Sequence, residues 1–221
     1  MPNPELNRVR VPNPSVYDAA GALAKLYFPI RGGISTGWEE ELFETEQARI
    51  FAINHKSILD PPAVGYELKK VGVEIYTLGK IELSKNKHLD RLLGCLGNIP
   101  FDRDKDLFAQ PAGQAVSELL DGGGNLVIFP EEHRYKDEAL GPMQKIGALA
   151  VRKNAIVYPG AIAGTNRKFG PVRLEFGQPY NVQPESTDDR RPRKEVLREI
   201  DLTLPGRIQE LYDRAKSNLI A

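Results

Sequence analysis

The stretch ARIFAINHKSILDPPAVG, residues 48–65, constrains this chain more than any other. Ile50 to Ile53 is an uninterrupted apolar run, which reads as a strand buried on both faces. Asn54-His55-Lys56-Ser57 then turns the chain, and Asp60-Pro61-Pro62 opens a helix, because aspartate is a favoured N-cap and proline suits the first turn. His55 therefore stands at a strand exit and Asp60 at a helix mouth. A turn between them brings imidazole and carboxylate together. A general base needs that pairing: one ring nitrogen free to take a proton, the other held by an anion that fixes the tautomer. Taken alone, the same residues also read as a helix start beside a satisfied polar histidine.

The blocks that follow extend the pattern. Residues 1–14 carry four prolines and read as an irregular arm. Ser15 to Phe28 is predicted helical with Ser15 as cap; Val16, Ala19, Ala20, Leu23 and Tyr27 share an apolar face. That face suits the core or a membrane interface, and its weakly charged opposite side favours the core. Arg31 to Gly37 is a glycine-rich connection, and Trp38 to Thr45 is an acidic lead into the organising strand. Helix 61–71 and strand 73–78 come next, then Gly79-Lys80 and a basic patch of Lys85, Lys87, His88 and Arg91, which reads as a solvated face. A short helix over 89–96 holds Cys95 on apolar ground. A strand ends near Phe101, with Asp102-Arg103 at its exit. Helix 114–120 stops at Gly122-Gly123-Gly124, and strand 125–129 exits through Pro130-Glu131-Glu132-His133-Arg134. Helix 145–153, strand 155–163 with Pro159 inside, and strand 172–176 complete the alternation. Residues 181–194 read as a charged linker and 195–217 as a helix broken near Pro205.

Alternating strands and helices argue a single α/β domain over residues 15–180, with a central sheet, mostly parallel or mixed, covered by helices on both faces. The segment 181–221 packs its helix on the same domain. His55, Arg103 and Glu131 to Arg134 all follow strands, where open α/β sheets collect ligands.

Composition narrows the function classes. Lysine plus arginine equals 30 and aspartate plus glutamate equals 30. No global basic field recruits nucleic acid, so an anion site must be a local cluster. The 221 residues include one cysteine, which excludes an intramolecular disulfide and fits a reducing cytoplasm. The amino-terminal sequence lacks the apolar core of a signal peptide, and Val16 to Ile30 is too short and too interrupted to span a bilayer.

Four blocks in order, NHKSILD, GNIPFDR, FPEEHR and IVYPGAIAG, with KIGA after the third, resemble the glycerolipid acyltransferase family that includes glycerol-3-phosphate and lysophosphatidic acid acyltransferases. The likeness covers about Asn54 to Gly164. It implies acyl transfer from a thioester, on coenzyme A or acyl carrier protein, to the hydroxyl of a glycerolipid-type acceptor, with lysophosphatidic acid the expected one. It also implies that no cofactor and no acyl-enzyme are needed. By the resemblance His55 takes the hydroxyl proton and Asp60, separated from it by four residues in the family's first motif, orients it. Arg103 binds the acceptor's polar head, and Glu131, Arg134 and Lys80 shape the same substrate site. The partners implied are a thioester donor, a lipid or other hydroxyl acceptor and a membrane surface met from the cytoplasm.

One departure stands out. The family's third motif carries Gly-Thr where this chain has Glu132-His133. Either Glu132 points away from the acceptor or the acceptor is not the usual phosphorylated glycerol. Three other classes compete: a thioesterase using water, for which there is no Gly-x-Ser-x-Gly elbow; a non-catalytic lipid- or partner-binding domain, which has no need of a base; and a metal site at His88 with Asp90 or His133 with Glu131, whose spacing matches no recognised ligand motif.

Overall fold

The computed structural model describes residues 11–40, 46–134, 140–182 and 193–219. The sheet has seven strands: β1 (Ile34–Trp38), β2 (Arg49–Ile53), β3 (Tyr76–Lys80), β4 (Asn98–Phe101), β5 (Asn125–Ile128), β6 (Ile156–Ala163) and β7 (Val172–Phe176). Their spatial order is β1-β7-β6-β2-β5-β3-β4. Every neighbouring pair is parallel except β6 and β7. The expected α/β architecture with a mixed, mostly parallel sheet is therefore what the chain adopts.

Successive side chains of a strand point to opposite faces, and β2 shows the result. Ile50 and Ala52 enter a core with α4 (Pro111–Asp121), α5 (Gly147–Lys153) and α6 (Arg193–Ser217). Phe51 and Ile53 enter the opposite core with α1 (Pro14–Arg31) and α2 (Asp60–Lys70). All four side chains are fully buried, which is why the run is apolar without alternation. A sixth helix among the described residues, α3 (Lys87–Cys95), leads into the β4 edge.

Several local expectations need correcting. Helix α1 starts at Pro14, and Asn13, not Ser15, caps it by accepting the Val16 N–H at 3.2 Å. Proline then takes the first helical position, where its missing N–H is no loss. The core-facing stripe of α1 is Tyr17, Ala20, Ala24, Phe28 and Arg31, whereas Leu23 is 68% exposed and Tyr27 faces out. The segment expected to be a glycine-rich connection contains β1. This edge strand pairs with β7, and Trp38 stacks on Phe176 at 4.3 Å between ring centroids. Lys80 closes β3 rather than following it, since that strand runs two residues longer at this end than expected. Helix α6 runs unbroken through Pro205. An internal proline costs about 3 kcal/mol through its lost hydrogen bond and its clash; here it sits on the exposed side of a helix held by buried Val196, Ile200, Leu204, Ile208 and Leu211. The glycine stop after α4 is as expected, with Gly123 at φ 76°. Most of the arm (1–10), of the acidic lead (41–45) and of the charged linker (183–192) lies outside the described residues.

Candidate active site

Five parallel strands, β6-β2-β5-β3-β4, end on one edge of the sheet, and each delivers a polar residue there. His55 follows β2, Lys80 ends β3, Arg103 follows β4, Glu131 to Arg134 follow β5, and Thr165 follows β6. The topology thus gathers residues far apart in the chain at the strand ends, where α/β sheets bind ligands.

The catalytic candidates meet. His55 Nδ1 lies 2.8 Å from Asp60 Oδ2. The same oxygen accepts the backbone N–H groups of Lys56 at 2.6 Å and Ser57 at 2.7 Å, and Oδ1 accepts the Thr165 hydroxyl at 2.5 Å. Asp60 is completely buried. Four donors around one carboxylate satisfy a charge that burial would otherwise penalise heavily. Asp60 is therefore the first residue of α2 rather than its cap; its carboxylate folds the preceding turn back onto itself. With Nδ1 held, Nε2 is the ring nitrogen left to meet a substrate hydroxyl. The imidazole also packs on Phe129, with ring centroids 4.5 Å apart.

Two neighbours hold this turn in place. Asn54, fully buried, grips the backbone of Ile162 in β6 from both sides: its Oδ1 accepts the N–H at 2.7 Å and its Nδ2 donates to the carbonyl at 3.1 Å. Glu131 accepts the His55 N–H at 2.6 Å through Oε1 and the Gly141 N–H at 2.7 Å through Oε2. Both oxygens of Glu131 are thus turned to backbone, and the side chain is buried. This is the geometry of a positioning residue: Glu131, expected to shape the substrate site, turns its oxygens to the His55 and Gly141 backbone. Glu131→Gln replaces one acceptor by a donor that faces an N–H, at a cost of about 1–3 kcal/mol. The expected kinetic result is a fall in kcat of about tenfold with the acceptor KM nearly unchanged. A rise in KM alone would instead put the side chain on the substrate.

Asn54 and Thr165 were not singled out from the sequence. Their signal is weak but present: Asn54 directly follows the buried apolar strand β2, and Thr165 follows β6 by two residues, as His55 follows β2.

A cleft of about 1660 Å³ opens at this edge. Apolar groups from α1, α2 and α3, including Ala20, Ala24, Gly65, Leu89 and Leu93, line one part, and His55 and Phe129 lie on its wall. Lys80, Arg103 and Arg134 line the cleft as well, with the acidic Asp104, Asp106 and Glu132 and with His133. Among the described residues none of Lys80, Arg103, Arg134 and Glu132 makes an ion pair, and Arg103 Nε is buried with no hydrogen-bond partner. Burial pushes the Arg103 guanidinium below its ordinary pKa, while the charges of Glu132 and Glu82 act to raise it and Arg134 lowers it. An arginine remains cationic through such a shift, so Arg103 can hold an anion in a cleft whose lining carries both signs of charge. Lys85, Lys87 and His88 stay exposed, as expected of a solvated face.

Glu132 has φ 55°. It is the middle residue of a tight turn in which the His133 N–H donates to the Glu131 carbonyl at 2.6 Å. A side chain in this left-handed region costs about 1 kcal/mol relative to glycine.

Comparison with known proteins agrees with this geometry. A family model described as acyltransferase matches residues 38–163, more than half of the chain. The chain belongs to the acyltransferase family and is an enzyme of that class. The crystal structure of the 1-acyl-sn-glycerophosphate (LPA) acyltransferase PlsC from Thermotoga maritima superposes with a TM-score of 0.58 at 22% identity, over 86% of this chain and 78% of that one. At that identity the likeness is one of fold. No curated protein sequence matches the chain. No helix among the described residues is long and apolar enough to cross a membrane.

Proposed function

We propose that the chain moves a fatty acyl group from a thioester, on coenzyme A or acyl carrier protein, to the hydroxyl of a glycerolipid-type acceptor. The observation that carries this reading is the His55–Asp60 pair, with His55 on the wall of a cleft that apolar side chains and the cations Lys80, Arg103 and Arg134 line together. The apolar lining suits an acyl chain, and Lys80, Arg103 and Arg134 suit an anionic head group.

The chemistry follows from the dyad. His55 Nε2 takes the acceptor's hydroxyl proton as its oxygen bonds to the thioester carbon. Asp60 stabilises the imidazolium that forms. The tetrahedral species collapses, the C–S bond breaks, and the proton held by His55 passes to the departing sulfur, releasing a thiol and an ester. The acceptor is itself the nucleophile, so neither an acyl-enzyme nor a cofactor enters.

Such an acceptor resides in a bilayer. Ile58, 73% exposed on the cleft wall, and the outward stripe Leu23, Leu26 and Ile30 of α1 are apolar groups able to enter a lipid surface. A peripheral position on the inner face of a membrane fits this contact.

The test is a product-resolved assay with thioesters of graded chain length, each with and without a lysophospholipid acceptor. Thiol release should depend on acceptor and should match the ester formed. Release at the same rate without acceptor would make the enzyme a thioesterase.

A further inference from the structure

Glu132 lines the cleft together with Lys80, Arg103 and Arg134, and its backbone is held in a conformation that glycine occupies most readily. Side chains kept in such a conformation at a site wall point to a function that offsets the strain. Its carboxylate lines the same cleft as Lys80, Arg103 and Arg134 and forms no ion pair among the described residues. The cleft lining is thus a mixed surface: positive groups able to hold a phosphate, and acidic groups, Asp104, Asp106 and Glu132, of which Glu132 alone sits on a left-handed backbone among the non-glycine residues lining it.

Resting on the acyl-transfer reading above, we propose that Glu132 selects the acceptor's head group, and that the preferred acceptor is a lysophospholipid whose phosphate is a diester ending in a primary amine. A phosphate monoester carries about −1.5 to −2 charges near neutral pH and gains from every cation but is repelled by Glu132. A phosphodiester carries one negative charge, which Arg103 and Arg134 can hold. An ammonium attached to it through two carbons then reaches the neighbouring carboxylate. The cations give the phosphate its place, and Glu132 separates one head group from another through attraction in one case and repulsion in the other.

Three acceptors with the same acyl chain test this: lysophosphatidylethanolamine, lysophosphatidylglycerol and lysophosphatidic acid. The glycerol head group is a diester without the amine, so it separates attraction of the amine from rejection of the monoester. For the unmodified enzyme, kcat/KM for the ethanolamine acceptor should exceed that for the glycerol acceptor about tenfold, the scale of one partly exposed charge contact. Glu132→Gln should bring the two to the same level and improve lysophosphatidic acid. Glu132→Gly, which relieves the backbone, folds readily and should give the same loss of preference. Equal rates for the ethanolamine and glycerol acceptors, or a ratio that Glu132→Gln leaves unchanged, would overturn the head-group assignment while acyl transfer stands. Thiol release that ignores all three acceptors would overturn acyl transfer itself.

Discussion

Replacing His55 by alanine should lower turnover by about 10²–10⁴-fold, the range expected when a positioned general base is lost. The effect should fall on kcat. The apolar lining and the cations of the cleft do not depend on the imidazole, so binding of a non-reactive thioester analogue should be nearly unchanged. Stability should change little, because Asp60 keeps its Lys56, Ser57 and Thr165 donors and the vacated space opens to the cleft. Steady-state kinetics beside thermal unfolding check both halves. A variant with more than a tenth of the original turnover would remove His55 from the chemistry.

Asp60 gives the second large effect, and two substitutions separate its two roles. In Asp60→Asn the single oxygen can face His55 and the Lys56 and Ser57 amides, while the new NH₂ donates to the Thr165 hydroxyl, which is able to accept as well as donate. The fold should survive. What is lost is the negative charge that steadies the imidazolium, and turnover should drop by about 10²–10⁴-fold. Asp60→Ala leaves several buried donors with no acceptor, and about 3–5 kcal/mol of stability should go with them. Unfolding by denaturant with kinetics on both variants is the measurement. An asparagine variant as unstable as the alanine one would mean that the charge serves the fold first.

The sequence was most legible where the chemistry is local. His55 and Asp60 are five residues apart, and the turn that joins them is written in Ser57 and in the proline pair. The buried strands β2 and β5 announce themselves as apolar runs, and the polar residues at their exits mark the sheet edge. Long-range partners were not legible. Asn54 and Thr165 act through contacts 108 and 105 residues distant, and nothing near them in the chain names those partners. β1 escaped because ISTGW has a strand's conformation only through pairing with β7 and the stacking of Trp38. The buried side of α1 was misjudged because both its faces are apolar, so periodicity alone could not choose between Leu23 and Ala24. In α6, packing overrode the propensity of Pro205.

Each wall of this cleft hangs from a different strand. On the reading proposed above, His55 and Asp60 belong to the connection after β2 and Glu132 to the connection after β5, while α1, α2 and α3 add apolar groups. A lineage carrying this sheet can therefore trade one lipid for another by altering a single connection, and leave the reaction itself untouched. The turn after β5, where Glu132 stands at φ 55°, is such a connection.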